Sequence, residues 1–312
     1  MVLRYILDFR WHMKIDKLLD VTDNHKIAIY RRGNPQGKKV IFLHGGPGGS
    51  ISEKSFDFFD LDKWDVYAFD QRGCGQSEPF ASLENNTVFH SIEDMEAIRK
   101  YYEIDSWTVF GGSYGSTLAL VYGIHYPKRV EALVLRGIFL GRKEDIAWLY
   151  QDGASYFYPE VFETFRSFID EEQRDDLVKA YYEIFLADGD KKYQAAKIWA
   201  DWENSIVNLV AKPLASKEVT DDDISLALLE CHYFANQMHW TDDNYILNRI
   251  DKIKEIPTYI VHGRYDVDCR PIGAYDLARK LDKVHLYITD KAGHSPYEET
   301  SFKKLVEIMN SL

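Results

Sequence analysis

Two rhythms of apolar and polar positions divide this chain. In its first part, short apolar runs recur between longer, more polar stretches. Lys26-Ile27-Ala28-Ile29-Tyr30, Val40-Ile41-Phe42-Leu43 and Val66-Tyr67-Ala68-Phe69 each have strand character. Over residues 92–102 the period lengthens, and Ile92, Met95, Ile98 and Tyr102 fall at helical spacing. A buried-strand pattern at Trp107-Thr108-Val109-Phe110, a helix beyond residue 113 and a strand at Ala132-Leu133-Val134-Leu135 complete a strand–helix–strand unit. Such alternation predicts an α/β fold, with a mostly parallel sheet and helices on both faces.

From about residue 141 to about residue 248 the strand pattern disappears. What remains is helical and rich in aromatic and acidic side chains, as in Trp148-Leu149-Tyr150, Val161-Phe162 and the segments 177–185, 195–202 and 224–234. The first rhythm returns at Thr258-Tyr259-Ile260-Val261 and Val284-His285-Leu286-Tyr287-Ile288, and a helix over about 302–309 closes the chain. A helical block between two parts of one sheet reads as an inserted cap. The expected organisation is core over 1–140, cap over 141–248 and core again over 249–312, without internal repeats or low-complexity linkers. A length of 312 residues accommodates one such domain with its insertion.

Composition narrows the partners. Hydrophobic residues at 46% support a packed core, and a formal net charge of -12 without any basic stripe argues against a nucleic-acid partner and against an anionic membrane surface. No run approaches the roughly 20 apolar residues of a spanning helix. The opening ten residues are apolar but broken by charges, which does not fit a signal peptide, and Met13 offers an alternative start. The three cysteines, Cys74, Cys231 and Cys269, are odd in number and widely spaced. They fit neither a disulfide framework nor a structural zinc site, so a reducing, cytoplasmic setting is expected. Asn85-Asn86-Thr87 matches a glycosylation sequon, but without a secretory signal it reads as a turn or helix cap.

The candidate chemistry centres on Gly111-Gly112-Ser113-Tyr114-Gly115, which lies between a predicted strand and a predicted helix. That context describes a nucleophile elbow, whose tight turn raises a serine hydroxyl above the sheet edge. Later strands end in His262-Gly263-Arg264-Tyr265-Asp266 and, after Thr289, in Asp290-Lys291-Ala292-Gly293-His294. Ser113, Asp266 and His294 would therefore meet at the carboxyl edge of the sheet, in the chain order of α/β hydrolases. Serine is a poor nucleophile at neutral pH, so an imidazole must take its proton and later return it to the leaving group. The aspartate would hold that imidazole in the useful tautomer. The loop His44-Gly45-Gly46-Pro47-Gly48-Gly49 follows a strand directly, and the amides of Gly46 and Tyr114 are the expected oxyanion donors. His44 is expected to shape that loop. No Walker or dinucleotide loop is present, and no metal or cofactor is expected.

The chain resembles the proline iminopeptidases. The resemblance rests on the loop at 44–49, Asp70-Gln71-Arg72-Gly73-Cys74-Gly75-Gln76-Ser77, the elbow, Arg136-Gly137-Ile138-Phe139, Trp202-Glu203, Glu230-Cys231-His232-Tyr233-Phe234 and the segment 262–266. It runs from about residue 26 to the end, cap included. It implies a serine aminopeptidase that releases an N-terminal residue, preferentially proline, from short peptides through an acyl-enzyme. By the same resemblance Glu203 and Glu230 would bind the substrate amine, and Phe139, Tyr150, Phe234 and Cys269 would form the proline pocket. A buried ammonium needs paired negative charge, and aromatic walls suit a pyrrolidine ring. Arg136 is expected to pair with a carboxylate near the site, and Cys269 to confer sensitivity to thiol reagents.

The chain departs from the family pattern in Asp266-Val267-Asp268-Cys269-Arg270-Pro271, which carries charge where the usual sequence is more apolar, and in the aromatic and acidic stretch 150–185. Both border the cap and bear on strictness for proline. The alternatives are a broader aminopeptidase, an esterase or amidase on small acyl substrates, and a hydrolase scaffold used only for binding.

Overall fold

The apolar runs of the first rhythm become the strands of one eight-stranded sheet in the computed structural model, which describes residues 13–187, 189–211 and 217–312. The opening ten residues, read above for a signal, lie outside the described residues. The strands are β1 (Lys17–Asp20), β2 (Lys26–Gly33), β3 (Lys38–Leu43), β4 (Trp64–Phe69), β5 (Trp107–Gly112), β6 (Val130–Arg136), β7 (Thr258–Gly263) and β8 (Val284–Thr289), in spatial order β1-β2-β4-β3-β5-β6-β7-β8. β1 and β2 pair antiparallel, as do β2 and β4; every other neighbouring pair is parallel. β1 has no counterpart in the sequence reading. Its four residues, Lys-Leu-Leu-Asp, sit half-buried at the sheet edge and are too few to show a period.

The central strands β4 and β5 are covered on both faces. Every residue of β4 and β5 is buried. Trp107 and Val109 face a core shared with α1 (Val88–Tyr101) and α2 (Tyr114–His125), while Phe110 faces the opposite core, with Leu305, Ile308 and Met309 of the last helix, Glu299–Ser311. Thr87 caps α1, its hydroxyl accepting the His90 amide. Asn86 is buried and donates to the carbonyls of Arg72 and Ser82, so the sequon is a capping turn.

Between β6 and β7 the described residues contain no strand. They form α3 (Lys143–Tyr150), α4 (Pro159–Ser167), α5 (Leu177–Leu186), α6 (Lys191–Ile206) and α7 (Asp221–Ala235), with short 3-10 turns. Aromatic packing holds these helices together. Phe165 stacks on Tyr181 at 4.5 Å between ring centroids, Tyr150 on Trp199 at 4.3 Å, and Phe162 meets Trp202 edge-on at 5.0 Å. The charge-rich stretch that looked unusual in sequence therefore has a dry aromatic interior. No helix is long and apolar enough to cross a membrane among the described residues.

Candidate active site

Ser113 occupies the turn between β5 and α2 with φ 58° and ψ -133°, a conformation that side-chain-bearing residues seldom adopt. Such a turn costs on the order of 1–3 kcal/mol and persists because its surroundings hold it. The Ser113 amide donates to Arg136 O at 3.0 Å, and its carbonyl accepts from the Ser116 amide at 2.8 Å and hydroxyl at 2.7 Å. The flanking glycines are required by close approach. A Cβ on Gly111 would lie 2.1 Å from Gly115 O, and one on Gly115 would lie 2.3 Å from Leu43 O.

The loop after β3 lies against this turn, since a Cβ on Gly45 would come within 3.1 Å of Ser113 Cβ. His44 shapes the loop as expected. Its Nδ1 meets Gly45 O at 2.8 Å and its Nε2 accepts the Gln71 amide at 3.1 Å, so both ring nitrogens are committed. Tyr114 begins α2, where its amide is among those without an intrahelical acceptor. Gly46 lies in the loop with φ 110°. The 70–77 segment is a rigid frame. Asp70 accepts from Tyr30, Ile51 and Gln76, and fully buried Arg72 forms a two-pronged pair with Asp94 at 2.7 and 2.8 Å.

Asp266 and His294 meet as the sequence places them. Asp266 Oδ2 lies 2.9 Å from His294 Nδ1, and its Oδ1 accepts the Cys269 amide at 2.8 Å. Both residues are buried, which pushes the imidazole down to about 4 and the carboxyl up to about 6. The ring is thus neutral at neutral pH, with Nδ1–H donated to Asp266 and a lone pair on Nε2. His262 also touches this carboxylate, its Nε2 3.3 Å from Asp266 Oδ2. It accepts the Ile138 amide at Nδ1 and donates from Nε2 to Cys269 O at 2.8 Å, which keeps it a neutral structural ring.

The lone pair on His294 Nε2 faces Arg136, whose Nη1 is 2.9 Å away and also 2.9 Å from His294 O. The sequence predicts a carboxylate partner for Arg136; its hydrogen bonds go to the imidazole and that backbone carbonyl instead. The difference arises because the end of β6 meets the loop after β8 past the intervening strand β7, an approach that appears only once the sheet is assembled. Asp268 Oδ2 lies 3.7 Å from the same Nε2. Among the described residues no hydrogen bond joins Ser113 Oγ to His294, so Arg136 holds the place the serine proton would take.

The cap brings Glu203 of α6 and Glu230 of α7 together around one phenol. Tyr150 OH contacts Glu203 Oε1 in a very short hydrogen bond and Glu230 Oε2 at 3.0 Å, and Trp199 Nε1 donates to that same Glu230 oxygen at 2.7 Å. Glu203 is 8% exposed and Glu230 4%. Burial, with their mutual repulsion, raises the carboxyl of Glu203 well above the ordinary range, and burial likewise raises that of Glu230. A hydroxyl has one proton to donate, so a phenol bridging two carboxyls fits a pair that shares a further proton when no cation is present.

Phe139 and Phe234 lie between this pair and the elbow. Phe139 stacks edge-on to Phe234 at 5.7 Å, and Phe234 meets Tyr150 at 5.4 Å. The Phe139 amide donates to Ser116 Oγ at 3.2 Å, and Ser116 also bonds the Ser113 carbonyl. Backbone and side-chain contacts together thus link the serine turn to the two glutamates. Tyr150 has a double place here: its ring belongs to the aromatic wall, and its hydroxyl belongs to the carboxylates. Cys269, also buried, extends its thiol to Asp268 Oδ1 at 3.4 Å.

A sequence model of the α/β hydrolase fold matches residues 38–301. The chain is 42% identical to the probable proline iminopeptidase of Leptolyngbya boryana over 293 residues, covering 93% of this chain and 91% of that protein. It is 42% identical to the proline iminopeptidase of Arabidopsis thaliana, over 92% of this chain and 77% of that one. With the Neisseria gonorrhoeae proline iminopeptidase the identity is 41%, over 94% of each. The chain belongs to the proline iminopeptidase family. Solved structures extend the likeness in fold alone: a bacterial membrane phospholipase A superposes with a TM-score of 0.64 at 17% identity, covering 95% of this chain and 86% of that one. A probable hydrolytic enzyme from Pseudomonas aeruginosa gives 0.64 at 15%, covering 95% and 93%.

Three residues of this proline iminopeptidase family member were not singled out from sequence as parts of the site. Trp199 stands one helical turn before Glu203, at the i, i+4 spacing that places both on one face of α6. His262 opens the motif that carries Asp266. Asp268 was visible only as a charge in a segment usually apolar, and its burial could not be read from its neighbours.

Proposed function

We propose that the protein is a metal-independent serine aminopeptidase that releases N-terminal proline from short peptides. Ser113 attacks the carbonyl of the first residue while His294 Nε2 takes its proton, and Asp266 stabilises the resulting imidazolium. Before that step Arg136 must give up its hydrogen bond to Nε2. The guanidinium would then stand next to the reacting carbonyl, whose developing oxyanion the amides of Gly46 and Tyr114 would stabilise. His294 returns the proton to the departing amine, and water resolves the prolyl ester by the same path.

The observation that carries the preference for a free N-terminus is the pair Glu203 and Glu230. An incoming ammonium replaces the proton they share and satisfies two buried carboxylates at once. A blocked terminus would leave them unmatched, which costs far more than a lost contact. The ring of proline would lie against Phe139, Phe234 and Tyr150, with Cys269 on the side towards Asp268.

A panel of aminoacyl arylamides with N-acetylated controls tests this. Prolyl arylamide is expected to turn over fastest, the acetylated form not at all, and Ser113→Ala to abolish activity. Turnover of N-acetylprolyl arylamide comparable to the free amine would replace this reading with that of a general amidase.

A further inference from the structure

Asp268 is a buried carboxylate in the active site that neither the triad nor the amine pair employs. It follows Asp266 by two residues, accepts from the Cys269 thiol at 3.4 Å and places its other oxygen 3.7 Å from His294 Nε2. One donor atom from each of Asp268, Cys269 and His294 lies within 4.8 Å of the others, and all three residues are buried. Carboxylate, thiolate and imidazole are the three side-chain donors that zinc accepts. Donors around a tetrahedral zinc stand about 3.6 Å apart, given bonds of roughly 2.0–2.3 Å, so small side-chain rotations would close the trio on one ion. Asp266 stands behind the imidazole, 2.9 Å from His294 Nδ1. By holding Nδ1–H it presents the Nε2 lone pair outward, as a carboxylate does behind a metal-bound histidine.

We propose that Asp268, Cys269 and His294 form an inhibitory site for a thiophilic divalent cation such as Zn²⁺. On binding, the Cys269 thiol loses its proton to solvent. Thiolate and Asp268 carboxylate together balance the two positive charges, Nε2 supplies the third donor, and water takes the fourth position. Arg136 has to withdraw, because its N–H and the ion compete for one lone pair. Mg²⁺, which prefers an octahedral set of oxygens and keeps its water, does not suit this set. The consequence for turnover rests on His294 being the base: with Nε2 occupied it cannot take the proton of Ser113. The binding itself does not depend on that reading.

Two titrations test the site. In the first, ZnCl₂ or MgCl₂ is added during prolyl arylamide turnover. Zn²⁺ is expected to inhibit, a chelator to restore activity, and Mg²⁺ to have no effect. Asp268→Asn and Cys269→Ser should each raise the inhibitory constant at least about tenfold, since even outer-shell changes cost metal affinity that much. In the second, CdCl₂ is added without substrate and the ultraviolet thiolate-to-cadmium charge-transfer band is followed. The band should vanish in Cys269→Ser and in Cys269→Ala, and should saturate at least about tenfold less tightly in Asp268→Asn. Equal zinc inhibition in these variants, or a band that persists without Cys269, would overturn the proposal. Because the cadmium titration needs no substrate, absence of arylamide turnover would count against the peptidase reading and leave the metal site to be judged on its own.

Discussion

One phenol, one indole and two carboxyls meet where we propose that the substrate amine binds. Glu203→Gln keeps the shape and removes a charge, so the ammonium loses one charge-assisted hydrogen bond worth about 1.5–3 kcal/mol. The KM of prolyl arylamide should therefore rise on the order of 10–100-fold, with a smaller change in kcat, measurable by steady-state kinetics. Glu230→Gln should behave alike. The pair also predicts a pH dependence of binding. Because both carboxyls are raised, they hold protons at acid pH and cannot accept the ammonium; KM should fall as pH rises toward about 8, the value to which burial pushes Glu230. A pH series of KM for prolyl arylamide checks the sign, and a KM that instead rose across this range would contradict it. The turn at Ser113 and the meeting of Asp266 with His294 were legible because each residue follows a strand within its own motif. The partner of Arg136 was not, because it lies 158 positions away and is reached past β7, a meeting that only the assembled sheet creates.

Among elements, the 70–77 loop shows how motif residues can serve the site without entering it. Arg72 is fully buried and tied to Asp94 of α1, to the Asn85 carbonyl and to Thr22. Arg72→Met would strand the Asp94 carboxyl, already pushed up to about 6 by burial, and should destabilise the fold by about 3–5 kcal/mol. Denaturant unfolding would show this, and Asp94→Leu in the same chain should restore part of the loss. Loss of the strand pattern revealed the helical block between β6 and β7, although α7, buried on all sides over 229–234, shows no single apolar face. Periodicity missed β1, where pairing with β2 rather than any pattern in four residues makes the strand. It also could not tell that Tyr150, at the end of α3, turns its hydroxyl between α6 and α7.

At the level of the molecule, alternation along the chain announces a parallel sheet but not its order. The neighbours β4, β3 and β5 follow from crossovers that composition does not record. That order brings the ends of β5, β6, β7 and β8 to one edge, and the cap closes over it. Four buried carboxyls, Glu203, Glu230, Asp266 and Asp268, then share the enclosed space with the guanidinium of Arg136. This surplus of negative charge bears on product release. The prolyl ester proposed on Ser113 would carry no acid group, whereas its hydrolysis would free one among the four already there. Repulsion would then eject the product as soon as it forms. Free proline should accordingly inhibit much more weakly than prolinamide, which keeps the ring and the ammonium but bears no carboxylate. Comparable inhibition constants for the two in a competition assay would show that the cavity does not repel its own product.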